Sequence, residues 1–449
     1  MNVRALILSL GLLSGSSLAY AEEQDLLVTY VQALENDPVL QQAIANQLAT
    51  KQGVPIAASQ LLPQASVQFY SESQNAFIFP GSVPEDINSG AGIARTHGYI
   101  ASATQNLINF TTWSLIREAR RLSEEADATF LANEQNLITR VANAYFNVLS
   151  AEDTLTFATA QKEALASQLN QVDQRFDVGL VAITDVYDFQ AQYDAQVANE
   201  IAAINNLANA KEALQVITGL PVDELAPLKP TVPLHQPEPY DMNAWVEQAE
   251  YDNPTLAASR FAMQAAEETI STERSLLYPN LEVVGEYGTS LNGQVFDPHE
   301  GSSNGWAVAV ESNLNIFSGG QIISQVRQAE YQYQSTRDAF EEQRRNTINQ
   351  TRSAFRAIET AISQVKALQQ AVISAESALD ANEASYEVGI KTSVDVLDSI
   401  SLLYQQKQNL ANAKYHYVLS ILALKQATGV LEVMDLIQIN EWLQDLEDF

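Results

Sequence analysis

Residues 321–388 read QIISQVRQAEYQYQSTRDAFEEQRRNTINQTRSAFRAIETAISQVKALQQAVISAESALDANEASYEV and contain neither proline nor glycine, the residues that most readily interrupt a helix. A helix of these 68 residues would be ~100 Å long, more than a globular domain requires. In its second half, apolar residues recur every seven positions, with a second set three residues later: Ile358, Val365, Val372, Leu379 and Tyr386, then Ala361, Leu368 and Ala375. This heptad pattern is typical of a coiled-coil seam.

The run ends at Gly389, and a second run without proline or glycine follows at residues 390–428. Two long helices that meet at one glycine form a helical hairpin. The same layout occurs earlier, where residues 111–178 and 180–218 flank Gly179 and carry a heptad stripe that Lys162 interrupts. The sequence therefore predicts an internal duplication.

The duplication divides the chain into two repeats and the segments around them. The predicted parts are a signal peptide at 1–21, a first repeat at 22–218, a proline-rich linker at 219–240, a second repeat at 241–428 and a tail at 429–449. The signal peptide is indicated by Arg4, a short apolar run and an Ala-Tyr-Ala cleavage site, which together favour export.

Each repeat also contains two segments in which apolar and polar residues alternate, as in strands with one buried face. These segments are residues 63–73 and 98–110, then 280–287 and 305–317, with polar loops expected at 71–97 and 288–305. Aromatic residues near the segment ends are suited to membrane interfaces: Phe69, Tyr99, Phe110, Tyr278, Tyr287, Trp306 and Phe317. A soluble four-stranded sheet is the alternative. Glu282, Glu286 and Glu311, opposite the apolar face, favour a barrel with one lipid face and one wet face.

Four strands cannot close a barrel, and an open sheet edge in lipid leaves backbone groups unsatisfied at a cost of several kcal/mol each. The chain is therefore expected to associate into a common barrel of 8, 12 or 16 strands. Periodicity does not choose among these numbers.

Composition excludes several other function classes. The chain carries 24 basic and 55 acidic residues, a net charge of −31, which argues against nucleic-acid binding. It has no cysteine, and its four histidines are far apart in sequence. No catalytic constellation, cofactor motif or dedicated metal site is apparent, so no enzymatic activity and no cofactor are expected.

The two hairpin turns carry a specific resemblance. Residues 176–186 read FDVGLVAITDV and residues 386–396 read YEVGIKTSVDV. With the duplicated layout, these strings closely resemble the TolC family of outer-membrane efflux proteins over the whole mature chain. The resemblance implies a mixed membrane α and β fold: a trimeric 12-stranded outer-membrane β-barrel continued by a long periplasmic α-helical barrel, with the linker and tail in an equatorial belt.

The resemblance also implies a function and partners. The expected function is that of an exit duct for multidrug efflux and type I protein secretion in the bacterial outer membrane. The expected partners are two further copies of the chain, a periplasmic adaptor (membrane fusion) protein, an inner-membrane transporter of the RND, ABC or MFS class, and outer-membrane lipid. An outer-membrane structural protein or surface receptor without transport, whose loops 71–97 and 288–305 bind external surfaces, is the alternative.

Two residue clusters follow from the family pattern. The first is a latch that closes the periplasmic end, which matches Thr184, Asp185, Tyr386, Lys391 and Lys414. Two family arginines are lysines here, so the bidentate geometry of a guanidinium is lost. The alternative is that Thr184 and Asp185 only satisfy backbone amides at a helix start.

The second cluster is a constriction formed by Asp395 and Asp398, which lie on one helix face. In a trimer they would form a ring of carboxylates that binds cations and repels anions, and crowding would raise the pKa of some of them. The alternative reading is structural: Thr392 and Asp395 form a capping box, and Asp398 is solvated.

Overall fold

The computed structural model describes residues 24–78, 90–293 and 301–444. They form two compact units, each built from segments of both repeats. The sheet unit comprises Ile44–Phe130 and Pro254–Arg345. The hairpin unit comprises the described parts of Met1–Ala43, Leu131–Asn253 and Asn346–Phe449. The expected signal peptide at 1–21 lies outside the described residues.

The sheet unit contains four antiparallel strands in the order β1-β2-β3-β4. They are β1 (Gln64–Ile78), β2 (Gly90–Ile108), β3 (Asn280–Gly293) and β4 (Gly301–Asn313). The central β2–β3 pair joins the two repeats, with Ala103 opposite Gly285. Among the described residues, β1 and β4 are therefore the open edges of the sheet.

Strands β1, β2 and β3 are longer than the alternating pattern predicted, whereas β4 has the predicted length but begins and ends four residues earlier than 305–317. The expected loop at 71–97 is strand up to Ile78 and again from Gly90, and the loop at 288–305 is strand to Gly293 and from Gly301. Antiparallel pairing continues through polar positions such as Ser71 opposite His97, because backbone hydrogen bonds do not require apolar side chains. The remaining loop residues, 79–89 and 294–300, lie outside the described residues.

One face of the sheet is apolar and carries two aromatic pairs, and a further aromatic cluster lies just beyond the strand ends. Phe69 lies opposite Tyr99 with ring centroids 6.2 Å apart, and Tyr287 lies opposite Trp306. At the other end of the strands, Phe110 contacts Trp113 and Tyr278, each at a centroid distance of 5.3 Å. The other face carries carboxylates, with Glu282 directly opposite Glu311 and Glu286 opposite Ser102.

Ten helices fall within the described residues. They are α1 (Leu26–Asn36), α2 (Pro38–Lys51), α3 (Gly53–Ser59), α4 (Phe110–Asp177), α5 (Ile183–Thr218), α6 (Met242–Asp252), α7 (Pro254–Ser275), α8 (Gln321–Glu387), α9 (Ser393–Thr428) and α10 (Val433–Asn440). Helix α10 lies in the expected tail and was not predicted. None of these described helices is long and apolar enough to cross a membrane.

The heptad stripe forms much of the core of the hairpin unit. Its best buried members are Ile358, Ala361, Val365 and Ala375 in the second repeat and Val148, Leu165 and Val172 in the first. Where Lys162 interrupts the stripe, its ammonium group binds the Glu200 carboxylate of α5 at 2.7 Å. The charge at a core-facing position is thus satisfied by the return helix.

Linker residues 219–240 have little regular structure, as expected, and are held by side chains of the long helices. The Tyr145 hydroxyl of α4 donates to the Ala226 carbonyl at 2.8 Å. The Tyr417 hydroxyl of α9 accepts a hydrogen bond from the His235 amide at 2.7 Å. Leu228 forms an isolated bridge with Leu443 of the tail. The linker therefore contacts both the tail and the long helices.

Candidate functional site

The candidate site is the pair of hairpin turns in the hairpin unit, α4–α5 and α8–α9. Each outgoing helix ends at a glycine in the left-handed region, Gly179 with φ 75° and Gly389 with φ 78°. The amides of Gly179 and Leu180 donate to the carbonyls of Phe176 and Arg175, at 2.8 and 2.9 Å. The second turn repeats this pattern, which is the Schellman motif that ends helices at a glycine.

The return helices begin at Ile183 and Ser393, three residues later than predicted. The turn is not a single glycine, because the residue after each glycine completes the Schellman motif and the next two lead into the new helix. In the second turn, Thr392 is the N-cap and forms a capping box with Asp395. The predicted capping role of Thr392 and Asp395 is thus confirmed.

Asp395 is also bound by a lysine of its own chain. Its carboxylate accepts a hydrogen bond from the Thr392 amide at 2.9 Å and forms an ion pair with the Lys391 ammonium at 3.0 Å. The backbone and side-chain hydrogen bonds from Thr392, helped by Lys391, lower the pKa of Asp395 to about 2. Within one chain the carboxylate is therefore held in its charged form, whereas crowding in a ring would act in the opposite direction.

Asp398 lies one turn further along α9 and is exposed. Within the described ranges it has no hydrogen-bond or ion-pair partner. Its negative charge is therefore uncompensated inside the chain, in contrast to that of Asp395.

The first turn contributes Asp185, which contacts the second hairpin. The Ser393 hydroxyl donates to the Asp185 carboxylate at 3.1 Å. The N-cap position of α5 is Ala182, which makes no side-chain capping bond, and Thr184 is exposed. The alternative in which Thr184 and Asp185 serve only to cap the helix start is therefore not what the chain forms.

Tyr386 lies at the end of α8 against the first hairpin. The Arg175 guanidinium lies over its ring, 5.3 Å from the centroid. The Tyr386 hydroxyl is buried, and the Arg175 guanidinium and the Asp185 carboxylate are the charged groups beside it. Burial raises the pKa of Tyr386, and the nearby Asp185 carboxylate raises it further, against the opposing charge of Arg175.

A small core holds the two hairpins together next to the turns. It consists of Leu165, Val172, Phe189, Val396, Leu397 and Ile400. Polar bonds flank it: the Gln168 amide donates to Glu383 at 2.9 Å, and the Asn382 amide donates to Ser399 at 2.6 Å.

Lys414 is not brought to this cluster. It lies about five turns further along α9, where its ammonium donates to the Pro230 carbonyl of the linker at 2.8 Å. Burial lowers the pKa of Lys414, and Asp153 on α4 opposes this effect. Within one chain, Lys414 therefore ties α9 to the linker and contacts none of Thr184, Asp185, Tyr386 or Lys391.

The outer surface of both turns is apolar. The residues that flank the two glycines, Val178, Leu180, Val388 and Ile390, are each about 70% exposed or more, from 69% to 78%. Four solvent-facing aliphatic side chains at the two helix turns are a surface suited to a protein partner.

Sequence reasoning missed Ser393 and Arg175. Ser393 is a neutral residue in a helix first turn, and nothing in its spacing indicates a contact with the other hairpin. Arg175 is a basic residue in the last turn of a helix, where it would ordinarily be explained by the helix dipole. Within the described residues, no group of three or more histidine or acidic side chains could hold a metal ion.

Comparison with known proteins identifies the family. The family model for the outer membrane efflux protein matches residues 29–220 and 245–430, the two repeats. The outer membrane protein TolC of Escherichia coli is 37% identical over 450 residues, which cover 98% of this chain and 88% of that protein. The alkaline protease secretion protein AprF of Pseudomonas aeruginosa is 27% identical over 92% of this chain and 85% of its own.

A solved structure shares the fold. The outer membrane channel CmeC of Campylobacter jejuni superposes with a TM-score of 0.75 at 18% identity, covering 94% of this chain and 90% of that one. The fold class, the duplication and the outer-membrane location expected from the sequence are therefore confirmed. The chain belongs to the outer membrane efflux protein family.

Proposed function

We propose that three copies of this chain form an outer-membrane exit duct for efflux and type I secretion. Their sheets close a 12-stranded barrel, and their helical hairpins continue it as a periplasmic tunnel. The proposal includes no enzymatic step. The observation that carries it is the four-stranded sheet with two open edges and one aromatic, apolar face.

The open edges require partners if the sheet lies in lipid. Strands β1 and β4 each lack a neighbour on one side within the described residues, and lipid cannot hydrogen-bond their free amides and carbonyls. Three copies supply a closed wall without any further strand. The number three comes from the family resemblance, since the sheet alone would also permit other closed rings.

The two faces of the sheet fit a wall between lipid and water. Tyr278 lies two residues before β3 and Tyr287 lies nine residues further along the chain; an extended chain of nine residues is ~30 Å long, or about 21 Å across a membrane at a tilt of ~45°. This span is near the ~25 Å apolar band of outer-membrane barrels. The opposite face carries Glu282, Glu286 and Glu311, which would face a water-filled lumen.

The hairpin turns support docking of a periplasmic adaptor and an inner-membrane transporter. Their exposed residues Val178, Leu180, Val388 and Ile390 would be covered by the adaptor. This chain offers no nucleotide-binding motif, so the energy for export would come from the transporter.

The same turns would form the closed gate. In the assembled duct, Thr184, Asp185, Tyr386 and Lys391 of neighbouring hairpins would close the periplasmic end, with Lys414 bracing α9 above them. Asp395 and Asp398 would supply six carboxylates to the constriction. The proximity of Tyr386 to Asp185 supports this proposal, because it brings latch residues of both hairpins together.

Single-channel recording of the purified protein in planar bilayers tests the proposal. The duct should give discrete, cation-selective conductance steps, and a strain that lacks the protein should become sensitive to detergents and dyes. A control preparation in which Gly389→Pro disrupts the second turn should lose complementation. Absence of conductance together with unchanged sensitivity would favour the structural or receptor alternative.

A further inference from the structure

The internal duplication gives two equivalent pairs of residues at the strand ends. One pair is in contact within the chain, and the other pair is not. At the junction of the repeats, Phe110 after β2 contacts Tyr278 before β3 at 5.3 Å. Residues 106–110 (NLINF) correspond to 313–317 (NLNIF), and residues 61–64 (LLPQ) correspond to 277–280 (LYPN). The equivalents of Phe110 and Tyr278 are therefore Phe317 and Leu62.

These two equivalents are on opposite edges of the sheet and are exposed. Phe317 is 88% exposed, compared with 39% for Phe110, and Leu62 is 60% exposed. Phe317 follows the edge strand β4, and Leu62 precedes the edge strand β1. The contact can form only between two copies of the chain.

The observed pairing of β2 with β3 supplies a register for the edges. In that pair, Ala103 lies opposite Gly285 and Thr104 lies opposite Val284. Under the same correspondence, β2 maps onto β4 and β3 maps onto β1. Ala103 corresponds to Val310 and Gly285 to Phe69, so Val310 is expected opposite Phe69. Thr104 corresponds to Glu311 and Val284 to Gln68, so Glu311 is expected opposite Gln68.

The derived register places apolar side chains beside apolar ones on one face and polar side chains beside polar ones on the other. Phe69 lies on the apolar face with Tyr99, and Val310 lies on the same face because Tyr287 opposes Trp306. Gln68 and Glu311 then both lie on the carboxylate face. A register wrong by one residue would place apolar side chains against polar ones along the whole strand pair.

The register also gives a stagger that can close a barrel. Directly opposed residues across the four strands are Phe69, Tyr99, Thr289 and Asn304. The derived pairing places Asn304 opposite Asn75 of the next copy. Asn75 is six residues beyond Phe69, so the stagger is six residues for each copy. This is about 1.5 residues per strand, or ~5 Å along the strand for each ~4.8 Å step, which corresponds to a tilt of about 46°. Membrane barrels tilt by about 35–45°, so the derived tilt lies just above the upper limit of that range.

We infer that β4 of one copy pairs antiparallel with β1 of the next, with Val310 opposite Phe69, Glu311 opposite Gln68, and Phe317 against Leu62. This inference rests on the proposed trimeric duct and specifies its interface. The second copy of the chain supplies the contact that the first repeat makes internally.

The chain has no cysteine, so disulfide trapping can test the register directly. Directly opposed residues of antiparallel strands have Cα atoms ~4.5–5.5 Å apart, within the ~4.4–6.8 Å of disulfides, whereas diagonal neighbours are ~7–8 Å apart. The variant Gln68→Cys/Glu311→Cys should form covalently closed trimers on oxidation. Phe69→Cys/Val310→Cys should do the same, and since wide and narrow pairs alternate, one of the two is the narrow pair.

The matched controls are Ser66→Cys/Glu311→Cys and Tyr70→Cys/Glu311→Cys, each shifted by two residues on the same face. They should give at least fivefold less covalent trimer than the better predicted pair. A shifted pair that cross-links as well as or better than both predicted pairs would overturn the register. Native mass spectrometry of the detergent-solubilised protein separates this from the larger proposal: a trimeric mass with no cross-link in the predicted pairs rejects the register alone, whereas a monomeric mass rejects the trimeric duct as well.

Discussion

The Ser393 hydroxyl donates a hydrogen bond of 3.1 Å to the Asp185 carboxylate and so joins the first turns of the two return helices. Ser393 is buried, and Asp185 is half-buried. Both residues stand directly behind the turns that the proposed gate would use. The two hairpins of one chain are therefore linked at their ends by a polar bond as well as by the small apolar core.

Removal of this bond should ease separation of the hairpins. Ser393→Ala should shift the open-to-closed ratio in bilayer recordings by about fivefold, since a hydrogen bond of this kind contributes ~1 kcal/mol. Ser377→Ala is the matched control, because the Ser377 hydroxyl bonds only within its own helix at Ile373. Equal open probabilities for the two variants would mean that the bond does not restrain the gate.

Tyr386→Phe tests whether the Tyr386 hydroxyl takes part in the proposed latch. Inside one chain the hydroxyl is buried beside Arg175, whose guanidinium also lies over the ring and would remain there in the variant, so its loss alone should cost little stability. If the closed trimer uses the hydroxyl, conductance should rise, and Tyr386→Phe combined with Asp185→Ala should raise it further. A conductance equal to that of the parent, with an unchanged melting temperature, would remove Tyr386 from the latch.

Asp395 should make hairpin stability sensitive to acid. Its pKa in the folded chain, about 2, is below the ordinary value of 3.8, so its contribution to stability is present above pH 4 and is lost as the pH falls from about 4 to 2. The melting temperature of Asp395→Asn should therefore change less than that of the parent over this range. A parental profile in Asp395→Asn would contradict the assignment.

Asp398 should contribute more to cation selectivity than Asp395. Lys391 already compensates Asp395 at 3.0 Å, whereas Asp398 has no partner among the described residues. Asp398→Ala should therefore shift the reversal potential and weaken block by multivalent cations more than Asp395→Ala does, and the double variant should lose most of both. The reverse order would mean that the Lys391 pair opens in the assembled duct.

The fold could be read from sequence where a period persists over many residues. The absence of proline and glycine fixed the long helices to within a few residues, and alternation located all four strands. Strand ends were missed because pairing such as Ser71 with His97 depends on the backbone rather than on side-chain polarity. At the turns, the Thr392–Asp395 capping box is local and was predictable. The Ser393–Asp185 bond joins residues more than 200 positions apart and leaves no periodic trace.

A comparison of the two repeats yields the last prediction, at the Asp37–Arg140 pair. The Asp37 side chain is 2% exposed and binds the Arg140 guanidinium at 2.5 Å. It also accepts the Leu40 amide at 2.8 Å, so that it caps α2. Although burial alone would raise it, the pKa of Asp37 is held below its usual value by Arg140 and the backbone amides. In the second repeat the corresponding residue is Asn253, whose amide donates to the Ala427 carbonyl at 2.9 Å.

Arg140→Ala should therefore destabilise the hairpin unit by about 3–5 kcal/mol, because it leaves a buried carboxylate without its partner. Arg121→Ala, which breaks an exposed pair with Glu124, should cost less than about 1 kcal/mol and is the matched control. Addition of Asp37→Asn to Arg140→Ala should restore part of the loss, since an uncharged amide already serves at Asn253. Urea midpoints of the detergent-purified variants measure these differences. A double variant no more stable than Arg140→Ala would mean that the guanidinium acts by packing rather than by neutralising Asp37.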